Sequence, residues 1–251
     1  MSSRIVLYDL PSRNAGNRKP WSPNTWKVRF ALNYKGLPMR TEWVEYPDIK
    51  ELYAKLGLKP TEKKADGSPY FCLPVIHDPS TNTTLCDSFA IVQYLDDTYP
   101  NTPIFLPKGT AALQKGFLAA FRTKIHWTTF HLVIFPIWRI LNEPSQVYYR
   151  TSREIDFGQK LEDIASEGWW QQAEAAWDEL AEWMKLDDEA SDGFIMGDQV
   201  CFVDLQIASV LLWARSGLGD RSAEWARICS WNGGKWKRYL DKFSDYETVD
   251  S

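Results

Sequence analysis

Several short segments carry side chains whose types and spacing could do chemistry on a small anionic peptide. Leu73-Pro74-Val75-Ile76 places a proline inside an apolar run. Proline donates nothing to a β-ladder and belongs at an edge or a strand start, so a strand is predicted to begin at Val75. A cis Leu73-Pro74 bond would turn the N–H and C=O of Val75 toward solvent, where an extended ligand can add as one more strand. Asp87 and Ser88 head an amphipathic helix carrying Phe89, Ile91, Val92 and Leu95. Unpaired N–H groups at such a helix start attract a carboxylate, and the Asp87 side chain can accept from an ammonium group. Ser22 and Asn24 flank Pro23 at a second helix start, where a hydroxyl, an amide and exposed N–H groups can hold an anion. Each site also has a plain reading, because Asp and Ser are the ordinary N-caps of helices.

The elements that would position these residues follow from the pattern around them. Ile5-Val6-Leu7-Tyr8 reads as a strand, a helix starts near Pro23, and a strand lies around Trp43-Val44. The Pro74 strand, the acidic turn Asp78-Pro79-Ser80 with Asn82, and the Asp87-Ser88 helix come next. This order resembles the thioredoxin-like domain of glutathione transferases. In that family the residue after the proline binds the cysteinyl backbone of glutathione and the acidic-Ser pair binds its γ-glutamyl end. The resemblance therefore implies Pro74 and Val75, and Asp87 and Ser88, as glutathione-binding residues.

A longer stretch sharpens the resemblance. Trp21-Ser22-Pro23-Asn24-Thr25-Trp26-Lys27-Val28-Arg29-Phe30-Ala31-Leu32-Asn33-Tyr34-Lys35-Gly36, followed by Glu42-Trp43-Val44-Glu45-Tyr46-Pro47-Asp48-Ile49, is similar to the bacterial β-aryl etherases of lignin breakdown. It is more similar still to the etherase-related, fungal-specific Fu class of glutathione transferases, over nearly the whole chain. The implied fold is an N-terminal thioredoxin-like α/β domain over residues 1–102, then an all-helical domain over 103–251. The boundary agrees with Tyr99-Pro100-Asn101-Thr102-Pro103, where two prolines and turn formers follow a helical pattern.

The resemblance frames the catalytic question. A thiol with a pKa near ~8.5 is only a few per cent thiolate at neutral pH, and the thiolate is the nucleophile. Lowering that pKa by about two units takes ~2.7 kcal/mol of preferential stabilisation of the anion. Ser22 is the first candidate and Asn24 the second, with Ser-containing transferases and etherases supporting Ser22. Ser12, soon after the first strand, is a rival hydroxyl, whereas Tyr8 alternates into the core or an interface. Between them runs the loop Pro11-Ser12-Arg13-Asn14-Ala15-Gly16-Asn17-Arg18-Lys19-Pro20, longer than the usual 2–6 residues of a strand-to-helix connection. It is expected to wall the second-substrate pocket, with Asn17 among the lining residues. Lys59, Lys63 and Lys64 lie near where the family supplies a cation for the glycine carboxylate. The choice is open, and Lys64 stands for the group.

Beyond the boundary the pattern is helical. Ala111 to Leu141 carries a long apolar series in which Pro136 removes one hydrogen bond and should kink the helix. Trp170 to Met184 repeats the pattern through Ala173, Trp177, Leu180 and Ala181. Trp127, Phe130, His131 and Phe135 fall where the family builds its hydrophobic-substrate wall, and such rings stack on planar polyphenols. Asp204 occupies the far position of a helix capping box, but Cys201 stands where Ser or Thr is usual, and a thiol is a weak acceptor.

Composition narrows the classes. The chain has 251 residues, 44% hydrophobic and 25% charged, enough for two domains. Its formal charge of −4 gives no footprint for nucleic acid or an anionic membrane. No apolar leader precedes Ile5 and no later apolar run approaches a bilayer span, so a cytoplasmic protein is expected. Cys72, Cys86, Cys201 and Cys229 lack C-x-x-C spacing and read as packed thiols. His77, His126 and His131 make a poor ligand supply, with His126 and His131 on different helical faces, so no metal is expected. The resemblance thus implies a homodimeric glutathione transferase that conjugates, or reduces peroxides with, hydrophobic aromatic substrates, and that binds polyphenols as a ligandin. A non-catalytic carrier and a β-aryl ether-cleaving enzyme are the alternatives.

Overall fold

The structure is a computed structural model that describes residues 4–64, 66–185 and 193–250. Strand β1 (Ile5–Asp9) is buried along its whole length. It pairs in parallel with β2 (Met39–Trp43), register Ile5↔Met39. Parallel neighbours need a crossover, which α1 (Pro23–Tyr34) supplies. Nearly every residue of α1 from Pro23 to Leu32 is buried, as in a helix enclosed on all sides. Helix α2 (Ile49–Leu56) ends on Gly57, whose φ of 66° is the left-handed conformation that glycine adopts without a Cβ clash. A two-residue pair, β3 (Glu62–Lys63) with β4 (Pro69–Tyr70), then precedes the cis Leu73-Pro74 bond.

Strand β5 (Val75–Asp78) begins at Val75, as the proline dictates. The Asp78 carboxylate accepts from the Ser80 amide at 2.9 Å and from the Tyr94 hydroxyl at 2.8 Å, which fixes the following turn. The chain returns as β6 (Thr83–Cys86) and enters α3 (Ser88–Thr98). The sheet order is β2-β1-β5-β6.

After a proline-containing connector come α4 (Ala111–Phe121), α5 (Trp127–Ile140), α6 (Glu143–Phe157), α7 (Glu167–Lys185), α8 (Phe202–Leu218) and α9 (Ala223–Asp241). Between α4 and α5 the apolar series passes through a π-helical turn at Arg122–His126. Departure from α geometry therefore falls there, whereas Pro136 lies within a segment that stays helical to Ile140. A non-helical break at Trp231–Gly234 divides α9.

Helix α8 is the axis of this half. Every residue from Phe202 to Ala214 is buried. Asp204 accepts from the Cys201 amide at 2.7 Å, from the Ile195 amide at 2.8 Å and from the buried Tyr239 hydroxyl. The carboxylate thus supplies its half of the capping box whatever the thiol contributes. The halves are tied by Glu45, which accepts from Asn142 at 2.7 Å and from Ser145, and by Arg13, whose amide donates to the Ile140 carbonyl at 2.8 Å.

Candidate functional site

Ser22 is the N-cap of α1, with φ −69° and ψ 125°, and Pro23 occupies the first helical position. Its carbonyl accepts from the Trp26 amide at 3.0 Å, but its hydroxyl makes no capping hydrogen bond. The residue is only 4% exposed. A serine in this position normally spends its oxygen on an amide of the first turn; here the hydroxyl is left over. Ser12 differs, because its hydroxyl accepts from the Asn14 amide at 3.2 Å and donates to the Arg18 carbonyl at 3.3 Å, closing its own loop. Tyr8 is buried in β1 opposite Val75.

Asn24 is exposed on the first turn of α1, and its Oδ1 accepts from Lys27 Nζ at 3.1 Å. Sequence reasoning passed over Lys27. The residue is 8% exposed, and burial pushes its ammonium down to about 8 against the opposing pull of Asp87, Cys72 and Glu62. Its one visible signal is a lysine inside an otherwise enclosed helix, three residues after Asn24.

Asp87 is the N-cap of α3, accepting from the Ala90 amide at 2.9 Å. It does so at φ 76°, a conformation that is costly for a non-glycine residue. Ser88 is buried at the first helical position. The cap uses one oxygen of the Asp87 carboxylate, so capping α3 leaves the other oxygen outside that bond.

Val75 requires a correction. It stands opposite Tyr8 on one side and Cys86 on the other, so β5 is an interior strand and its backbone belongs to the sheet. The turn after Asp78 folds β6 back along it and removes the open edge expected from the sequence. Leu73, before the ladder, lies outside both pairings. Cys72 beside it is pushed up to about 11 by burial, so its thiol keeps its proton. Lys59, Lys63 and Lys64 are all exposed, Lys64 with its amide bound to the Ser68 carbonyl at 2.8 Å.

The expected aromatic wall is divided. Phe130 stacks toward Trp213 at 5.6 Å, beside His126, which itself stacks on Trp213 at 5.2 Å. Burial drives His126 down to about 3, so it is neutral at physiological pH. Trp127 lies 6.2 Å from Phe130 and 4.7 Å from His131, whose ring rests 3.5 Å from that of Trp169. Phe135 turns away to stack on Trp138 at 5.6 Å. Asn17 is exposed in a loop that docks at the Ile140 end of α5, with Arg18 paired to Asp220. A helix rises about 1.5 Å per residue, so this loop meets α5 about 20 Å from Trp127. The loop and the Trp127–His131 cluster do not form one wall.

Comparison with known proteins bears on the family of the chain. Residues 21–98 match the family described as glutathione S-transferase, N-terminal domain, and 112–246 match glutathione S-transferase, C-terminal domain. GSTFuA3 of Phanerochaete chrysosporium is 41% identical over all of both chains, with a TM-score of 0.96. CsGST63524 of Ceriporiopsis subvermispora, solved in complex with glutathione, is 40% identical over 99% of this chain and 100% of its own, with a TM-score of 0.94. The glutathione S-transferase-like protein ustS of Aspergillus flavus is 25% identical over 99% of this chain and 98% of its own. The chain belongs to the glutathione transferase family. Its close structural neighbours are the fungal Fu-class enzymes.

In this glutathione transferase, α6 contributes side chains that the sequence did not single out. Tyr149 lies 6.5 Å from Trp21, next to Ser22, and Arg153 lies over both Tyr149 at 5.3 Å and Phe130 at 5.8 Å. Tyr149 and Arg153 therefore bridge from the start of α1 to the Phe130–Trp213 group. No pattern local to α6 marks them. Among the described residues no cluster of His, Cys, Asp or Glu is arranged to hold a metal ion, and no helix is long and apolar enough to cross a membrane.

Proposed function

We propose that this glutathione transferase lowers the pKa of the glutathione thiol and delivers the thiolate to hydrophobic aromatic electrophiles or peroxides. One observation carries the reading: the Ser22 hydroxyl, at a helix N-terminus and nearly enclosed, is not consumed as a cap. A hydroxyl donor beside the first amides of α1 suits a sulfur anion, and Asn24 adds an amide donor. Asp87 and Ser88 take the ammonium and carboxylate of the γ-glutamyl end, supported by the strained φ of Asp87 and the free N–H groups of α3. The backbone next to Pro74 reads the cysteinyl unit through Leu73, since Val75 is occupied within the sheet. Lys64 is the proposed partner of the glycine carboxylate.

Acceptors bind against Phe130, with Tyr149 and Arg153 closing the space toward Ser22. The glutathione-binding part spans 1–102 and the helical part 103–251, in a cytoplasmic homodimer. A second reading, carriage of polyphenols, draws support from Trp127. It is 47% exposed and borders a groove of about 420 Å³ with Trp169.

The test is an ultraviolet titration of bound glutathione thiolate in wild type and Ser22→Ala. A depressed thiol pKa that returns toward the free value in the variant supports catalysis. Bound glutathione with an unshifted pKa leaves carriage alone.

A further inference from the structure

Lys27 is a buried cation with an incomplete set of partners. Among the described residues no carboxylate lies within ion-pair distance of it, and the hydrogen bond described for its ammonium runs to Asn24 Oδ1 at 3.1 Å. A charge removed from water without a counter-ion is expensive, and replacing it with an apolar residue is often neutral or stabilising. Packing alone thus gives little reason for lysine here.

The chemistry of the pair gives one. An ammonium group has three donors and no acceptor, whereas a primary amide has a carbonyl on one side and an NH₂ on the other. Facing Lys27, Asn24 can present only its carbonyl. Its NH₂ is then directed away from the ammonium, on the exposed first turn of α1 two residues after Ser22. With the amide reversed, two donors would meet at Lys27 and a carbonyl oxygen would face an approaching anion. For an asparagine amide it is the hydrogen-bond partner that decides between these two orientations.

We propose that Lys27 is a positioning residue that locks the side chain of Asn24 with its NH₂ donors toward the glutathione sulfur. The inference rests on the functional reading above, in which Ser22 and Asn24 hold the thiolate. Burial serves this purpose, since the enclosed ammonium cannot swing into solvent and release the amide. The downward push on Lys27 to about 8 leaves it mostly protonated at neutral pH, and the neutral amine would still have donors for the carbonyl.

The experiment is a cycle on the whole protein, reading the pKa of bound glutathione thiol by its thiolate absorbance in wild type, Lys27→Met, Asn24→Ala and the double variant. Lys27→Met is expected to raise that pKa by about one to two units, roughly a 10- to 100-fold loss of thiolate below it, the scale of one hydrogen bond to a charged group. In the Asn24→Ala background the same change should add almost nothing, because the two residues act as one unit. Lys27→Gln, which keeps an uncharged N–H donor, should restore most of the shift.

Additive effects would overturn the proposal, because Lys27 would then act on the sulfur through its charge and not through Asn24. A raised KM for glutathione with an unchanged thiol pKa would overturn it as well, making Lys27 a ligand contact. An unshifted thiol pKa in wild type would instead remove the functional reading on which the proposal stands, and the proposal with it. Melting curves of each variant separate these outcomes from a loss of folding.

Discussion

Asp87 Oδ1 accepts the Ala90 amide hydrogen bond at 2.9 Å while the Asp87 backbone sits at φ 76°. One oxygen of the carboxylate thus caps α3, and the other takes no part in that bond. A non-glycine residue at such a φ costs of order 1–3 kcal/mol, and the strain is held where a side chain is needed.

Glycine at this position should separate folding from binding. Replacing a cap residue by glycine costs only a few tenths of a kcal/mol, while the backbone strain is relieved. Asp87→Gly is expected to melt within a few degrees of wild type, or above it, yet to raise the KM for glutathione at least roughly tenfold by losing a charge-assisted bond. Calorimetry and initial rates on one preparation check both halves.

Ser22→Ala should show the same separation for the opposite reason. A working serine cap is worth ~1 kcal/mol, but this hydroxyl caps nothing. The variant should therefore keep its melting temperature and lose roughly 10- to 100-fold in kcat, from one hydrogen bond to the thiolate. Ser12→Ala, which loosens the loop instead, should leave the thiol pKa in place. A large fall in melting temperature for Ser22→Ala would return Ser22 to the role of a cap.

The pH dependence of stability carries a signature of Lys27. Its pKa is near 8 in the folded protein and about 10.4 in an unfolded chain. Below the folded value both states are protonated, and the native state bears the full burial cost. Between the two values the unfolded state holds more protons, so stability gains up to ~1.4 kcal/mol per pH unit. Lys27→Met lacks this gain. Denaturant unfolding should show the stability of Lys27→Met relative to wild type declining from about pH 8 to about pH 10.4. Cys72, which burial pushes up to about 11, titrates with the opposite sign in both proteins and largely cancels in the difference.

Asp204→Ala should be the most destabilising of these changes. The side chain is fully enclosed and gathers the Cys201 and Ile195 amides and the Tyr239 hydroxyl. Removing it strands those donors, at about 1–3 kcal/mol for each one left unsatisfied. A loss of at least ~3 kcal/mol is expected in denaturant titrations. Refolding yield should fall with it, since α8 is the axis of the helical half.

The sequence by itself determined the features that depend on a few consecutive residues. Pro23 and Ser22 start a helix, Asp87 and Ser88 start another, and Pro74 delays its strand to Val75, because backbone dihedrals and missing donors act locally. Together with the family resemblance they gave the two-part fold and a short set of candidate residues. Tertiary structure decided which atoms are still available. Val75 loses its open edge only because β6 pairs beside it, and Ser12 differs from Ser22 only because its loop closes on itself. Phe135 leaves the Trp127–His131 cluster because its ring stacks on Trp138, and Asn17 because its loop meets the far end of α5. Lys27 is enclosed, and Tyr149 and Arg153 are brought beside Trp21 and Phe130, through packing between distant segments. A strand's neighbours and a side chain's burial are set by long-range contacts that no local pattern records, and those contacts determine which donors and charges are free to act.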